Sequence, residues 1–301
     1  MEEIAFFRPS IDDTEINLIK EALKDHGSAI VGRFESELQE YFGVKHAITT
    51  NNNSAAHHLA LCSMDLKRGD KIICSVNSTP SVAQAIRHFD AEPIFVDINE
   101  DDFNMNAESL RNTLKIHNHK KLKGIFVNHI GGQAADMDEI YDIANEYEIK
   151  VLSDAGKSIG LTYNGVKIGS DKRSLVSCFN MHSQMTNPIA TAGFMLTNDD
   201  AIAERARLLR NYAIVKGGID KDGNLGYVYD VVDIGVKYDL TGLCAAYSMA
   251  QFEKNDKFIQ RRRAIAALYD EALADCPHVS LPIKKRDHIY IQYIIKIDKN
   301  R

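Results

Sequence analysis

Three short stretches carry residue types that chemistry can use. The first is TTNNNSAAHH, residues 49–58. A strand-like run ends there in a polar turn and a helical run begins. Free backbone N–H groups at a helix start attract anions, and the Ser54 hydroxyl adds a donor. An Asn/Ser N-cap with no ligand explains the same residues. The second is VLSDAGKSIG, residues 151–160. Asp154 closes a buried apolar run, the place where α/β sheets hold ligands. A buried carboxylate needs a cation or several donors. A protonated pyridine nitrogen is one such cation; a capping or turn-forming aspartate is the plainer alternative. Lys157, three residues on, gains meaning only if Asp154 faces a ligand, because most lysines are solvated. The third is VNHIGGQAADMDE, residues 127–139. His129 before two glycines suggests backbone lying close to a ligand, and a satisfied structural histidine fits as well. No second His, Cys or Asp stands at ligand spacing, so no metal is expected.

The elements that must position these residues follow from periodicity. Residues 11–25 put Ile16, Ile19 and Leu23 on one helical face, with Ser10 or Asp12 as its cap. Strand-like runs at 45–50, 70–75, 93–98, 123–129 and 150–155 alternate with helical runs at 54–64, 81–89, 107–117 and 137–148. Short apolar strands between amphipathic helices predict a mostly parallel sheet covered on both faces. The rhythm then breaks. Residues 175–180 and 192–198 read as two strands joined by a polar loop, and 199–213 as a helix with a basic end. A Gly/Asp-rich loop follows at 217–235, then a long helical region at 241–275. IYIQYIIKI (289–297) alternates like a strand.

The 301 residues carry a net charge of −6, with 45% hydrophobic and 26% charged residues. That is ordinary globular composition. No Lys/Arg run interleaved with aromatics points to nucleic acid. No apolar run reaches membrane-spanning length, and the start, MEEIAFFRPS, lacks a signal-peptide pattern. The five cysteines are scattered without a C-x-x-C pair, which fits reduced thiols in the cytoplasm.

Taken in order, these stretches resemble the DegT/DnrJ/StrS family of sugar aminotransferases. The resemblance runs from IAFFRPSIDDTEINLIKEAL through FESELQEYFGVKHAITTNNNSAAHHLAL, AEPIFVDINEDDFNM and VLSDAGKSIGLTYNGVKIGS to LTGLCAAYSMAQFEKND. It covers essentially the whole chain. It implies an α/β fold: a fold-type I large domain of the pyridoxal-phosphate (PLP) transferase kind over 1–240, with a mostly parallel sheet between helices. A long helix and an incomplete small α+β domain are expected over 241–301, because the family usually continues further. The resemblance also implies PLP or its amine form, pyridoxamine phosphate (PMP), as cofactor. It implies a nucleotide-linked keto sugar as substrate, a surface-polysaccharide or O-antigen type of pathway, and a homodimer or a pairing with a related subunit.

The family's residues carry over unevenly. Its pyridine-nitrogen aspartate falls on Asp154. Its Ser-Gly-Thr phosphate turn falls on Asn52, Asn53 and Ser54, which keeps a hydroxyl and loses the glycine. The His or Gln three residues after the aspartate is Lys157. The ring-stacking aromatic falls on Thr79, and a phosphate-binding serine on Asn180. Counting back from GFMLTND without a gap puts the Schiff-base lysine on Met185; no lysine occurs between Lys172 and Lys216. The Asn-Tyr-Arg donated by the neighbouring subunit reads Lys237-Tyr238-Asp239.

One lysine normally supplies both the amine and the base for amino transfer, and methionine supplies neither. Losing a well-stacked ring removes about 0.5–1.5 kcal/mol beyond its area. Exchanging a donated cation for an anion near a phosphate costs more than about 1 kcal/mol at an effective dielectric near 20. The reading that follows is a catalytically inactive family member, a pseudoenzyme whose cofactor is retained or lost. The alternatives are an active enzyme with Lys157 in place of the lost lysine, a PMP-dependent dehydratase type using His182, and a nucleotide-sugar-binding or assembly partner without cofactor.

Overall fold

The computed structural model describes residues 9–24, 28–181, 189–216 and 229–298. Two helices, Asp13–Lys24 (α1) and Ser28–Phe42 (α2), lead into the first strand, His46–Thr50 (β1). There follow Asn53–Ser63 (α3), Lys71–Ser75 (β2), Pro80–Arg87 (α4), Glu92–Val96 (β3), Ala107–His117 (α5), Leu122–Asn128 (β4), Met137–Glu146 (α6) and Lys150–Asp154 (β5). A small hairpin, Thr162–Tyr163 (β6) and Val166–Lys167 (β7), precedes Ser174–Asn180 (β8), Gly193–Thr197 (β9) and Asp200–Leu209 (α7). Ile214–Lys216 (β10) pairs with Tyr229–Val231 (β11). Gly242–Glu253 (α8) and Asn255–Leu273 (α9) form the helical region, and Val279–Ser280 (β12) pairs with Lys296–Ile297 (β13).

Seven strands make one sheet in the order β1-β9-β8-β5-β4-β2-β3. Six run one way; β9 alone runs against its neighbours β8 and β1. The mostly parallel sheet expected from alternating β and α runs is therefore present. Its strands are apolar on both faces. Ile73, Ile125 and Val151 enter one buried cluster with Phe34 and Leu38, while their neighbours Ile72, Phe126 and Leu152 enter a second with Ile48 and Met195. Successive strand residues point to opposite faces, so each cluster is the layer beneath one set of helices. Leu240, Ala245, Ala246 and Met249 of α8 and the turn before it join the first cluster.

Asp12 proves to be the cap of α1, its Oδ1 accepting the Thr14 N–H at 2.9 Å. Helix α2 is an element that the strand-helix reading does not name. Its buried residues Ile30, Phe34, Leu38 and Phe42 recur every four positions, the spacing of one helical face. Glu35 lies on the same helix. Its Oε1 accepts the Thr49 N–H and hydroxyl, each at 2.9 Å, and Arg210 Nη1 at 2.7 Å; its Oε2 accepts Arg207 Nη1 at 2.8 Å. This cluster ties α2, the end of β1 and α7 together beneath the turn that leads to α3.

The C-terminal alternation gives a different structure from the expected strand. Of residues 289–297, only Lys296–Ile297 pairs as β-structure. The rest lies across the turn after β4. Ile289 and Gln292 donate their N–H groups to the carbonyls of Gly132 and Gly131, at 2.9 and 3.1 Å. Gly132 has φ 91°, and a Cβ there would stand 2.8 Å from Ile289 Cγ1. The segment therefore rests directly on glycine backbone. Ile289 is fully buried in that contact, and Tyr290, with φ 49°, breaks the extended conformation.

Candidate functional site

The site lies at the C-terminal edge of the sheet, where β5 ends beside the start of α3. Asp154 is the last residue of β5, paired in register with Asn128 of β4 and Cys178 of β8. Its side chain is 11% exposed. Three groups converge on one oxygen. His57 Nε2 donates to Oδ1 at 3.1 Å, the Gly156 N–H at 3.2 Å, and Asn53 Nδ2 at 3.5 Å. Among the described residues none donates to Oδ2. Burial alone would raise the Asp154 carboxyl, but the His57 charge and hydrogen bond, the Gly156 amide and Asn53 outweigh it. The net result is a carboxyl held below its usual range. A carboxylate held ionised with one oxygen open is an acceptor for a cationic N–H group.

Helix α3 supplies the second half. Asn52 caps it, its side chain accepting the Ala55 N–H at 2.8 Å. The N–H groups of Asn53 and Ser54 meet no acceptor among the described residues, as first-turn donors do when no ligand is present. Asn53 and His57 are four positions apart and so share the face turned to Asp154. Both the cap expected of the Asn-rich turn and its free amides are thus present. Oδ1 of Asn53 and Oδ1 of Asn128 are buried without a partner among the described residues.

Gly193 holds the helix start in place. It begins β9, paired with Thr50 and with Asn180, the last residue of β8. A Cβ at Gly193 would fall 2.4 Å from the Asn52 carbonyl carbon and 2.6 Å from the Asn53 nitrogen. Gly193→Ala is expected to displace the α3 start and to cost about 1–3 kcal/mol, the range for forced overpacking. Thermal unfolding of the variant checks this.

Thr79 caps α4 by position. Its hydroxyl stands 2.9 Å from Ser81 Oγ, and Ser81 Oγ stands 3.2 Å from His57 Nδ1. Thr79 is thus joined to Asp154 through two side chains. Ser81 also lines a cavity of about 200 Å³ with Ser54, His58, Gln84, His88 and Tyr238. Burial, and then the neighbouring His88, lower the His58 pKa, favouring its neutral form. The Tyr238 backbone carbonyl accepts the Asn51 N–H of the same turn at 2.9 Å. Lys237 and Asp239 pair with each other at 2.8 Å.

Lys157 does not reach Asp154 by a hydrogen bond. Its Nζ donates to Gln292 Oε1 at 2.7 Å. Burial lowers its pKa and the charge of Asp154 partly opposes that. His129 is a structural histidine. Its Nδ1 accepts the Ala135 N–H at 3.2 Å, so Nε2 carries the proton and donates to Ser153 Oγ at 2.8 Å. Burial, opposed by Asp154, brings its pKa down to about 4. Met185 and His182 lie outside the described residues. Among the described residues no group of three His, Cys, Asp or Glu could hold a metal ion, and no helix is long and apolar enough to cross a membrane.

The sequence profile of the DegT/DnrJ/EryC1/StrS aminotransferase family matches residues 9–301. The chain belongs to that family. The GDP-perosamine synthase of Caulobacter vibrioides is 31% identical over 306 residues, spanning 98% of this chain and 77% of that protein. The GDP-perosamine synthase of Vibrio cholerae is 30% identical over 279 residues, spanning 91% and 72%. Among solved structures, the putative sugar aminotransferase Spr1654 from Streptococcus pneumoniae in its PMP form superposes with a TM-score of 0.89. It is 21% identical and covers 99% of this chain and 79% of that one. The DegT/DnrJ/EryC1/StrS aminotransferase from Brucella abortus superposes with a TM-score of 0.82. It is 25% identical and covers 95% and 76%. The α/β architecture is thus that of the PLP aminotransferases. His57, Ser81, Gly156 and Asn128 stand around Asp154 in the candidate site, and reasoning from motifs does not single them out. For His57 a signal exists: it follows Asn53 by one helical turn.

Proposed function

We propose that this chain is a nucleotide-sugar aminotransferase homologue that binds a PLP-type cofactor through Asp154 and the start of α3 and does not carry out amino transfer. The observation that carries the binding is the state of Asp154: buried, ionised, saturated at Oδ1 and open at Oδ2. That oxygen suits a protonated ring nitrogen, and the free N–H groups of Asn53 and Ser54 suit the phosphate, with the Ser54 hydroxyl on the same turn and Asn180 paired with Gly193, the glycine that lies against that turn. When bound, such a cofactor supplies the electron sink that amino transfer uses. The chain's own residues bind and orient it. What they lack, by gapless counting, is the amine at position 185, and threonine at 79 offers no ring to stack. The nucleotide sugar, a cytoplasmic surface-polysaccharide type of pathway and a dimeric or paired assembly are parts of the same proposal, supported by family membership.

A second reading rests on Lys157. Its lowered pKa favours the free amine, the reactive form, yet its Nζ is engaged by Gln292. One experiment separates the two. The purified protein is mixed with PLP, treated with borohydride and weighed intact. No specific lysine adduct is expected, whereas PMP should bind measurably by calorimetry. A single adduct that maps to Lys157 and vanishes in Lys157→Ala would overturn the inactive reading. Turnover of a nucleotide-linked keto sugar with glutamate would do so as well.

A further inference from the structure

His57 is fully buried one turn into α3. Both ring nitrogens are engaged, Nε2 by Asp154 Oδ1 at 3.1 Å and Nδ1 by Ser81 Oγ at 3.2 Å. Phe126 packs edge-on against the ring, with centroids 5.3 Å apart, and restricts its rotation. An ionised carboxylate only accepts, so Nε2 must carry a proton. Nδ1 accepts from the Ser81 hydroxyl when the ring is neutral and donates to it when the ring is charged. The Thr79 hydroxyl, 2.9 Å from Ser81 Oγ, is able to reverse its role to match. The column Thr79–Ser81–His57–Asp154 is therefore satisfied in either state of the imidazole.

The other titratable groups around Asp154 are committed elsewhere. His129 donates to Ser153, Lys157 donates to Gln292, and burial followed by Asp154 itself raises the Cys178 thiol well above its usual range. Among the described residues, His57 is the one ionisable side chain within hydrogen-bonding distance of Asp154.

We propose that His57, braced by Ser81, is the positioning residue for Asp154: it turns Oδ1 into the protein, presents Oδ2 to the cofactor ring nitrogen, and keeps the group a carboxylate. The proposal rests on the cofactor reading above. It assigns α3 two tasks, offering amides at its first turn and fixing the ring-nitrogen partner from its second. A bare carboxylate buried at a strand end would take up a proton and could no longer stabilise a protonated ring. His57 prevents that from the side away from the ligand.

The test uses His57→Leu, which removes the donor, His57→Gln, which keeps a side-chain N–H within reach, and Ser81→Ala, which frees Nδ1 alone. In cofactor-free protein, the Asp154 carboxyl is followed by ¹³C NMR against pH. The leucine variant should move its midpoint up by at least one pH unit, and glutamine, which returns the N–H without the charge, should restore it in part. With ring-¹⁵N-labelled PMP, the leucine variant should bind about tenfold more weakly. Its ring signal should move from the pyridinium towards the neutral pyridine position, again restored in part by glutamine. A purely packing role would lower stability without moving either signal. An unchanged Asp154 midpoint in the leucine variant overturns the proposal whether or not cofactor binds. Wild-type protein that fails to bind PMP overturns the cofactor reading instead, and the ligand-free titration still decides what His57 does to Asp154. If the leucine variant does not fold, Ser81→Ala must shift the midpoint in the same direction by a smaller amount; no shift there also overturns the proposal.

Discussion

Replacing Glu35 with alanine will destabilise the protein by about 3–5 kcal/mol, the range for removing one partner of a buried charge cluster. Two guanidinium groups and the Thr49 amide and hydroxyl converge on this carboxylate. Without it, among the described residues Arg207 and Arg210 keep only the carbonyls of Ala47 and Thr49 and the Thr49 hydroxyl as partners, and their charges oppose each other. Glu35→Gln keeps the shape and loses the charge, so it should fall between the two. Burial alone would raise the Glu35 carboxyl, but Arg210, the Thr49 amide and Arg207 bring it below its usual value of 4.5. A folded-state value below the unfolded one contributes stability that is present above the unfolded value and lost as pH falls through the folded one. The gap between wild type and Glu35→Ala should therefore be full at pH 7 and shrink below about pH 4.5. Urea unfolding at several pH values measures it, and a gap independent of pH would show that packing, and not charge, is what Glu35 provides.

Asp154→Ala is expected to weaken PMP binding about 100-fold while the fold survives. A hydrogen bond to a charged group contributes about 1.5–3 kcal/mol, and each 1.4 kcal/mol is tenfold in affinity. The same change strips His57 Nε2 and Asn53 Nδ2 of their acceptor, so unfolding stability should also fall by about 1–3 kcal/mol. Asp154→Asn retains an oxygen at the strand end without its charge. It should cost about tenfold in affinity and less in stability. Calorimetric titration with PMP, beside thermal unfolding of both variants, separates the two effects. Equal PMP affinity in wild type and Asp154→Ala would mean that the cofactor is held elsewhere.

The sheet was legible because its strands are short, apolar on both sides and separated by helical runs; β5 ends at Asp154, one residue before the expected limit, and α5 spans the residues that periodicity marks. The exception is instructive. IYIQYIIKI alternates because a segment laid over a glycine turn also buries every other side chain, and alternation does not reveal what the backbone bonds to. The candidate site was legible at Asp154, Asn53 and Ser54 as a strand end meeting a helix start within a quotable motif. It was not legible at Ser81 and His57, which lie 24 residues from each other, or at His57 and Asp154, 97 residues apart. Separations of that size carry no periodic signal. Lys157 shows the reverse case. Three residues from Asp154 in sequence, it is drawn away by Gln292, 135 positions further along.

Among the described residues, strand β1 has a single neighbour in the sheet, and that neighbour is β9. Lys45, at the entrance to β1, is bonded to Asp200, 155 positions later. During synthesis at about 5–20 residues per second, β1 therefore waits roughly 8–30 s for the chain that completes it. Until then the turn that caps α3 has no Gly193 backbone to rest on. The edge that carries the candidate site is consequently assembled late, after β2 to β5 have emerged and are free to pair among themselves. A nascent chain halted before residue 193 would carry Asp154 and His57 without a fixed helix start between them, and so the proposed affinity for PMP would be expected to arise only once β9 has left the ribosome.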